Sequence, residues 1–373
     1  MIREDKKTDK LLIIVVFALV GLGTVLLYSA SSIVAEEKFG SSTFFLKRHL
    51  IRLLIGTFFF LVAMNLNYRV YRKLSTPFMV IAFLLLLMTL VLNWRENPHS
   101  PARWLLGGRS LQTSEIAKFA LIMYTAAFLE RKQRQLHKFT DGFLPPVLVL
   151  AFTVFLIVLQ PDFSTGALIS IIIFILLFVG RARISHLLSV ASITLFLMTL
   201  TVLNSSYRLN RIRIFLNPSS DASGMGYQIK QSLISLGTGG FWGVGLGKSI
   251  EKNLFLPEPH TDFILSIIGE EIGFLGIAVI LTLLLILVIK GIKIANSAPD
   301  LFGFLLAVGI TMSIFMYGII NAGVVSGLLP TTGLPFPFIS YGGSILIMSL
   351  AGVGILVNIS RSAVKKGNRI FKI

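Results

Sequence analysis

The amino-acid sequence predicts an all-α protein that crosses a membrane about ten times, and both its composition and its patterning indicate this. The chain has 373 residues, of which 54% are hydrophobic and only 14% are charged, and its mean hydropathy is +0.83. Soluble globular proteins carry about 25% charged residues. Ten helices of about 20 residues each would use roughly all the apolar residues present. The composition therefore excludes a soluble enzyme, a secreted disulfide scaffold and a disordered tail.

Ten apolar runs bounded by polar or charged residues give the predicted transmembrane helices. They lie near 11–30, 50–66, 77–93, 112–129, 145–160, 165–180, 186–203, 263–289, 301–321 and 339–359. A single membrane domain thus covers 1–373, with a large loop, 204–262, before the eighth helix. Loops longer than about 15 residues are uncommon unless they are functional or disordered. This loop keeps many apolar and aromatic residues, so we expect a packed cap.

The distribution of positive charge predicts the orientation of these helices. The chain has 34 Lys and Arg against 17 Asp and Glu, and membrane proteins concentrate Lys and Arg in short cytoplasmic loops. Segments on the side of the termini hold 20 of them, and the opposite segments hold 12, six of these in loop 204–262. We expect both termini in the cytoplasm and loop 204–262 outside. The surplus charge then reflects topology and not nucleic-acid binding.

A glycine-rich segment in the loop, 237–249, ends like a phosphate-binding loop but does not match one. The pattern requires glycine five positions before Gly247, and Trp242 stands there. We therefore predict no nucleotide, and the absence of Cys excludes thiolate metal sites and cysteine nucleophiles. Two interpretations stay open: Lys248 on this flexible backbone meets a lipid phosphate, or the segment is a tight turn between interfacial helices.

Asp262 is the most informative carboxylate, because it falls at the predicted outer membrane surface after Pro257 and Pro259. Partial desolvation at such a border raises the pKa of a carboxylate, which suits it to accept a proton from a hydroxyl nucleophile. The residues alone leave an alternative open, in which Thr261 or Asp262 is the N-cap of the eighth helix.

Other ionisable residues lie within the predicted helices, where burial in lipid is expensive and function is a default hypothesis. Glu115 and Lys118 are three residues apart on one helix face and can pair. Glu270 and Glu271 lie about two turns into the eighth helix and are candidate interhelical contacts. Outer-face arginines complete the set, either as substrate contacts or as side chains that snorkel to lipid headgroups: Arg103, Arg109, Arg208, Arg211 and Arg213.

The connection between the last two predicted helices has no charge from Asn321 to Ser340 and contains three prolines. It cannot form a continuous helix. Irregular apolar backbone at a membrane border must be buried in protein or line a cavity. We predict one of these two environments for it.

Three segments of the chain resemble the signature of the SEDS family (shape, elongation, division and sporulation proteins). They are Gly333–Ser344 (GLPFPFISYGGS), Leu256–Phe263 (LPEPHTDF) with 268–273 (IGEEIG), and Gln112–Lys118 (QTSEIAK). The resemblance covers nearly the whole chain. Segments 230–233, 243–247 and 321–327 are most similar to division-type members.

The resemblance implies a peptidoglycan glycosyltransferase that polymerises lipid II on the outer face of a bacterial inner membrane during cell division. It places the family's essential aspartate on Asp262, and we assign substrate contacts to Lys248, His260, Thr261, Arg103, Arg211 and Ser340. Glu115, Lys118, Glu270 and Glu271 are assigned to the central cavity as structural residues. A divalent cation, Mg²⁺ or Mn²⁺, bound by Asp262 is the only cofactor considered.

The resemblance also implies partners: the nascent lipid-linked glycan, a class B penicillin-binding protein (a transpeptidase), other divisome proteins and membrane lipids. Three alternatives remain open at this point. They are a lipid II flippase that makes no bond, a scaffold for the transpeptidase, and the elongation-type polymerase for cell shape.

Overall fold

The computed structural model describes residues 8–96, 104–105, 111–218, 221, 224–252, 256 and 259–362. Within these ranges the chain is almost entirely helical, with a two-residue antiparallel pair of strands, β1 (Trp104–Leu105) and β2 (Leu111–Gln112). The helices are α1 (Lys10–Phe39), α2 (Phe44–Asn65), α3 (Arg69–Glu96), α4 (Thr113–Arg131), α5 (Leu144–Leu159), α6 (Phe163–Val179), α7 (Ile184–Leu203), α8 (Ser206–Leu216), α9 (Met225–Gly239), α10 (Ile264–Asn296), α11 (Leu301–Val325) and α12 (Gly343–Arg361).

Ten of these helices coincide with the ten predicted transmembrane segments, and α8 and α9 lie in the large loop. Seven helical segments in the described residues are long and apolar enough to cross a membrane; they comprise α1, most of α3, α5 with the turn before it, α7, α10, α11 and α12. The predicted all-α membrane architecture is confirmed at this level. That α2, α4 and α6 also cross the membrane stays a prediction.

Two helix boundaries differ clearly from the prediction: the end of α1, where the helix continues through polar residues, and the start of α12, where apolar residues are not helical. α1 continues to Phe39, well past the predicted end at residue 30, and stops at Gly40, which adopts the left-handed conformation. Conversely, α12 begins at Gly343 and not at 339, because residues 337–341 form turns and Gly342 is extended (φ −145°, ψ 97°). A run of apolar residues predicts that a segment is buried, but a buried segment such as 338–339 need not be helical.

The packing has a buried centre and a loose edge. α11 contacts α4, α6, α10 and α12, and most of its apolar stretch is buried. α2 and α12 approach closely, since a Cβ built on Gly354 would lie 2.4 Å from the carbonyl oxygen of Phe60. α7 lies at the periphery, with Leu187 as its one buried residue among those described.

The helix α10 is broken at Gly273, which has φ 67° and ψ −170°. The segment 240–245 of the large loop inserts its backbone at the break. Four hydrogen bonds replace those that the helix loses: Val244 N to Glu270 O and Gly245 N to Glu271 O (both 2.9 Å), Phe274 N to Gly240 O (2.9 Å) and Leu275 N to Phe241 O (3.2 Å). The part after the break, 274–296, is roughly 34 Å long at 1.5 Å per residue, which is enough to span a bilayer alone.

The bundle has two ends, which we name by one residue each. The Asp9 end carries the start of α1 and the Lys290 side of α10, where Lys290 Nζ lies 3.1 Å from Asp9 Oδ2. The Asp262 end carries the break in α10 and the connection between α11 and α12. At that end the N–H of Tyr341 donates to the carbonyl of His260 (2.9 Å).

Candidate functional site

Asp262 lies just before α10 and is partly exposed. Its carboxylate Oδ1 accepts a hydrogen bond from the hydroxyl of Thr261 (2.6 Å). The N-cap position of α10 is occupied by Phe263, whose side chain has no acceptor. The alternative in which Asp262 or Thr261 is the N-cap is therefore wrong. The Asp262 carboxylate thus has no N-cap role.

Two backbone carbonyls fix the turn that presents Asp262. The carbonyl of His260 accepts from the N–H of Tyr341 (2.9 Å), and the carbonyl of Asp262 itself accepts from Asn321 Nδ2 (2.7 Å). The same amide nitrogen donates to the carbonyl of Leu334 (2.8 Å). The turn is thus tied both to α11 and to the connection that follows α11.

His260 is buried, and its ring packs among aromatic residues. The ring centroid lies 4.1 Å from that of Phe45 and 5.6 Å from that of Tyr341, and the guanidinium carbon of Arg52 lies 4.5 Å from the centre of the Tyr341 ring. This packing gives His260 a structural role. Its predicted contact with substrate stays a prediction.

The uncharged connection between α11 and α12 folds back into the bundle. Phe336, Phe338 and Ile339 are buried, and a Cβ on Gly23 in the middle of α1 would lie 2.4 Å from the carbonyl of Phe338. The prediction that this segment is buried in protein or lines a cavity is confirmed. Ser340 is buried too, and its Oγ accepts from the N–H of Phe336 (2.8 Å); its contact with substrate stays a prediction.

A cavity of about 550 Å³ opens beside this connection. Its lining is mostly apolar and comes from α6, the end of α7, α8, α11 and residues 330–334, and it includes Phe163, Leu168, Val202, Ile212, Ile320, Pro330 and Leu334. Two cations line it, Arg208 and Arg211. Burial, and to a lesser degree the neighbouring Arg211, lower the pKa of Arg208. A negative charge near the two guanidinium groups would oppose this lowering.

Asp262 borders the wall of this cavity. Gly333 lies between Thr332 and Leu334, which both line the cavity, and a Cβ on Gly333 would lie 3.9 Å from Asp262 Oδ2. Arg211 Nη1 donates to the carbonyl of Thr331 in the same wall (3.1 Å). One short segment, 330–334, therefore lies next to the Asp262 carboxylate, contacts Arg211 and also forms part of the wall of the apolar cavity.

Glu115 and Lys118 form an ion pair of 2.7 Å, and both side chains are buried. The hydroxyl of Tyr317 on α11 donates to the other Glu115 oxygen, and Lys118 Nζ lies 4.2 Å from the centre of the Tyr317 ring. Their spacing predicts the pairing, but Tyr317 was missed. Its position one turn before Asn321, on a polar stripe of an apolar helix, was the available signal.

Asp162, just before α6, is another buried carboxylate. Its Oδ2 accepts from Gln112 Nε2 (3.0 Å) and from Ser114 Oγ (3.3 Å). It therefore joins the start of α6 to the start of α4. This contact holds the cavity wall formed by α6 against the segment that carries Glu115.

Glu270 and Glu271 anchor the large loop at the break in α10. Glu271 lies 2.9 Å from Lys252 Nζ and accepts from Ser29 on α1 (2.7 Å). Glu270 accepts from the hydroxyls of Ser235 and Ser249 and from the N–H of Ile250 (3.0, 2.5 and 2.8 Å). The two glutamates thus connect a helix to a loop as well as to another helix. Lys252 was missed because nothing in its local sequence marks it as buried.

The glycine-rich segment follows the turn interpretation. A Cβ on Gly239 would lie 1.9 Å from the carbonyl of Gly269, and one on Gly243 would lie 2.3 Å from that of Glu271. Glycine is needed there for close approach to α10, and the N–H groups of Val244 and Gly245 are used in that contact. Lys248 is exposed, so its contact with a lipid phosphate stays a prediction. Arg103 lies outside the described residues.

These features define a class of protein: a polytopic helical membrane protein with a partly exposed carboxylate beside an apolar cavity that carries arginine. Residues 9–365 match the family of FtsW, RodA and SpoVE, described as cell cycle proteins. The chain belongs to this family, which is the SEDS family that its motifs resemble.

Relatives and solved structures agree with that membership. The chain is 43% identical over 360 residues to stage V sporulation protein E of Bacillus subtilis, with 95% of this chain and 98% of that protein covered. It is 42% identical over 353 residues to a probable peptidoglycan glycosyltransferase FtsW of Trichlorobacter lovleyi, with 94% and 93% covered.

Two solved structures have the same fold. A chain from a study of polymerization and crosslinking by a peptidoglycan synthase complex superimposes with a TM-score of 0.78 at 27% identity, with 96% of this chain and 99% of that chain covered. The rod shape determining protein RodA of Thermus thermophilus gives 0.70 at 26% identity, with 95% and 97% covered.

Proposed function

We propose that this protein is a peptidoglycan glycosyltransferase that polymerises lipid II, with Asp262 as its catalytic base. The observation that carries the proposal is the position of a partly exposed carboxylate at the wall of a cavity of about 550 Å³ that is apolar except for a few polar groups and two arginines. A polyprenyl chain fits an apolar cavity, and guanidinium groups bind phosphate oxygens well. Relatives named for this activity support the same conclusion.

The reaction requires one carboxylate. The carboxylate of Asp262 accepts the proton of the acceptor sugar hydroxyl while that oxygen attacks the anomeric carbon of the donor. The bond from this carbon to the pyrophosphate oxygen breaks, and the leaving group departs as the polyprenyl pyrophosphate. Direct displacement on an α-linked donor gives a β linkage. Glycosidases use two carboxylates, whereas a pyrophosphate leaves without a protonating acid.

Arg208 and Arg211 are placed to stabilise the charge of the departing pyrophosphate. Both line the cavity next to residues 330–334, and electrostatic stabilisation is strongest in a water-poor site. This assigns Arg211 to the donor, as its outer-face position suggested. Arg208 joins it because it lines the same cavity, where burial and then the nearby charge of Arg211 lower the pKa of its guanidinium.

A divalent cation is compatible with the residues present. Mg²⁺ is often held by one or two carboxylates together with substrate phosphates, and Asp262 offers one carboxylate with the Thr261 hydroxyl 2.6 Å from it. A bound Mg²⁺ or Mn²⁺ would neutralise pyrophosphate charge. The described residues contain no group of three or more His, Asp and Glu side chains that would form a protein-only site.

We also propose the membrane setting and partners. Charge distribution supports cytoplasmic termini and an Asp262 end outside the cytoplasmic membrane, where a lipid-anchored donor and acceptor would meet. The neighbour from a synthase complex supports a transpeptidase partner, a class B penicillin-binding protein, and the matches to division proteins support other divisome proteins as partners. A sporulation protein matches about as well. The family membership therefore does not depend on the role in cell division, and that role is part of this proposal.

The decisive experiment incubates the purified protein and its transpeptidase partner with lipid II and measures glycan polymer. Asp262→Asn keeps the shape of the side chain and removes its charge, and loss of a general base costs about 10²–10⁴-fold. Asp141→Asn, an exposed carboxylate outside the Asp262 turn, is the matched control and should polymerise normally. Near-normal polymer from Asp262→Asn would refute the catalytic role. A flippase without transferase activity would make no polymer with any variant.

A further inference from the structure

One asparagine side chain holds together the two segments that meet at the site. Asn321 on α11 is fully buried, and its Nδ2 donates to the carbonyls of Asp262 (2.7 Å) and Leu334 (2.8 Å). Both partners are acceptors, so the amide nitrogen and not the oxygen must face them. The two N–H bonds of a single amide group are therefore both committed to backbone on either side of the active site.

These two carbonyls belong to the base and to the cavity wall. Leu334 lines the cavity, and Gly333 beside it is the residue that borders the Asp262 carboxylate. The other anchor of the Asp262 turn, from Tyr341 to His260, is a main-chain hydrogen bond that a side-chain substitution leaves intact. Asn321 is therefore the side chain through which the separation between base and wall can be changed.

We propose that Asn321 is a positioning residue, which sets the distance between the Asp262 carboxylate and the sugar donor held by the cavity. The inference rests on the proposed function. A general base must lie within hydrogen-bond reach of the proton that it removes, and a misplacement of about 1 Å costs on the order of 10²-fold in rate. Asn321 itself is buried behind the backbone and acts through Asp262.

A second asparagine provides a matched control. Asn358 on α12 accepts from the N–H of Tyr68 (2.9 Å) and donates through Nδ2 to the carbonyl of Met64 (2.9 Å). It also ties an irregular connection to a helix, but at the Asp9 end of the bundle. Loss of its amide should therefore affect stability as loss of the Asn321 amide does, without moving Asp262.

The test compares Asn321→Leu with Asn358→Leu. A leucine side chain has as many heavy atoms as an asparagine side chain but no hydrogen-bond donor. Each purified variant is assayed with the transpeptidase partner for glycan polymer over a range of lipid II concentrations, and its thermal unfolding is followed. We expect a 10- to 100-fold lower kcat for Asn321→Leu with a KM within about threefold of wild type. Asn358→Leu should show a similar loss of Tm and a kcat near wild type. Equal loss of kcat in both variants, or none in Asn321→Leu, would overturn the proposal.

A double variant separates positioning from general damage. If Asn321 acts through the carboxylate, Asn321→Leu should slow Asp262→Asn by less than twofold, because residues that act as one unit are not additive. A further 10-fold loss would contradict the inference. If Asn321→Leu does not fold, Asn321→Ala replaces it, because alanine removes the amide without placing a large apolar side chain at this position. Failure of the proposed function is distinguishable, since wild type would then make no polymer.

Discussion

The two ends of α10 are held by ion pairs of different kinds. At the Asp262 end, Glu271 pairs with Lys252 at 2.9 Å, and the two side chains are only 1% and 5% exposed. At the Asp9 end, Lys290 pairs with Asp9 at 3.1 Å, and these side chains are 25% and 20% exposed. The first pair joins the large loop to α10 just before its break, whereas the second joins the N-cap of α1 to the regular part of α10.

This difference shows where the protein needs buried polar groups. Regular helices satisfy their own backbone hydrogen bonds, and the Lys290 side of α10 is such a regular segment. The Asp262 end contains a broken helix, a glycine-rich loop and a connection folded into the bundle. Irregular backbone at this depth must find its hydrogen bonds within the protein, and side chains such as Glu270 and Asn321 provide them.

The largest effect should come from breaking the buried pair. Glu271→Gln leaves the Lys252 ammonium buried without its carboxylate, and removal of one partner of such a pair costs about 3–5 kcal/mol. Asp9→Asn is the control, because it removes the partly exposed pair while the asparagine side chain can still accept the N-cap hydrogen bond from Leu12 N. We expect about 1 kcal/mol or less for it. Thermal unfolding in detergent measures both; equal losses would remove the distinction between the two ends.

The next effect tests the close approach of the glycine-rich segment to the break. Gly243 and Gly247 both have φ +80°, but only a Cβ on Gly243 meets backbone, at 2.3 Å from Glu271 O; one on Gly247 would have nothing within 4 Å. Gly247→Ala therefore isolates the cost of the left-handed conformation, about 1–2 kcal/mol. Gly243→Ala should cost at least about 2 kcal/mol more, as overpacking adds to strain. Unfolding curves that coincide for the two variants would show that the segment does not pack on α10.

The smallest effect concerns Glu251, a buried carboxylate at the same end whose partner is the amide of Gln231 (2.9 Å). Burial, and then the nearby Glu270, raise the pKa of Glu251 above its usual value of 4.5, and the Gln231 bond opposes this only in part. Ionisation is therefore harder in the folded state, so stability falls as the pH rises from about 4.5 through the raised pKa.

Glu251→Gln should remove that dependence. We expect the variant to be more stable than wild type at pH 7.5, because its amide carries no charge that burial would penalise. The difference should be smaller at pH 4, because most Glu251 side chains are then protonated in both the folded and the unfolded wild type. Unfolding midpoints at the two pH values measure this, and a variant that is less stable than wild type at pH 7.5 would contradict a raised pKa for Glu251.

Sequence reasoning located the helices and the residues near the site more readily than the contacts between them. The apolar runs placed ten helices, and the three-residue spacing of Glu115 and Lys118 predicted their pairing because both are local features. The break at Gly273 was missed because the apolar run continues through it and a single glycine is tolerated in a helix. Its cause is non-local: hydrogen bonds from 240–245. The role of Asn321 depends likewise on two carbonyls brought together only by the fold.

The break in α10 also makes two distant stretches of chain into one cooperative unit. Residues 240–245 and 270–275 exchange hydrogen bonds in both directions, so neither stretch can open without exposing unpaired groups in the other. Regions linked in this way open together with a common free energy. Hydrogen exchange at the amides of Val244, Gly245 and Phe274 should therefore report one shared opening free energy.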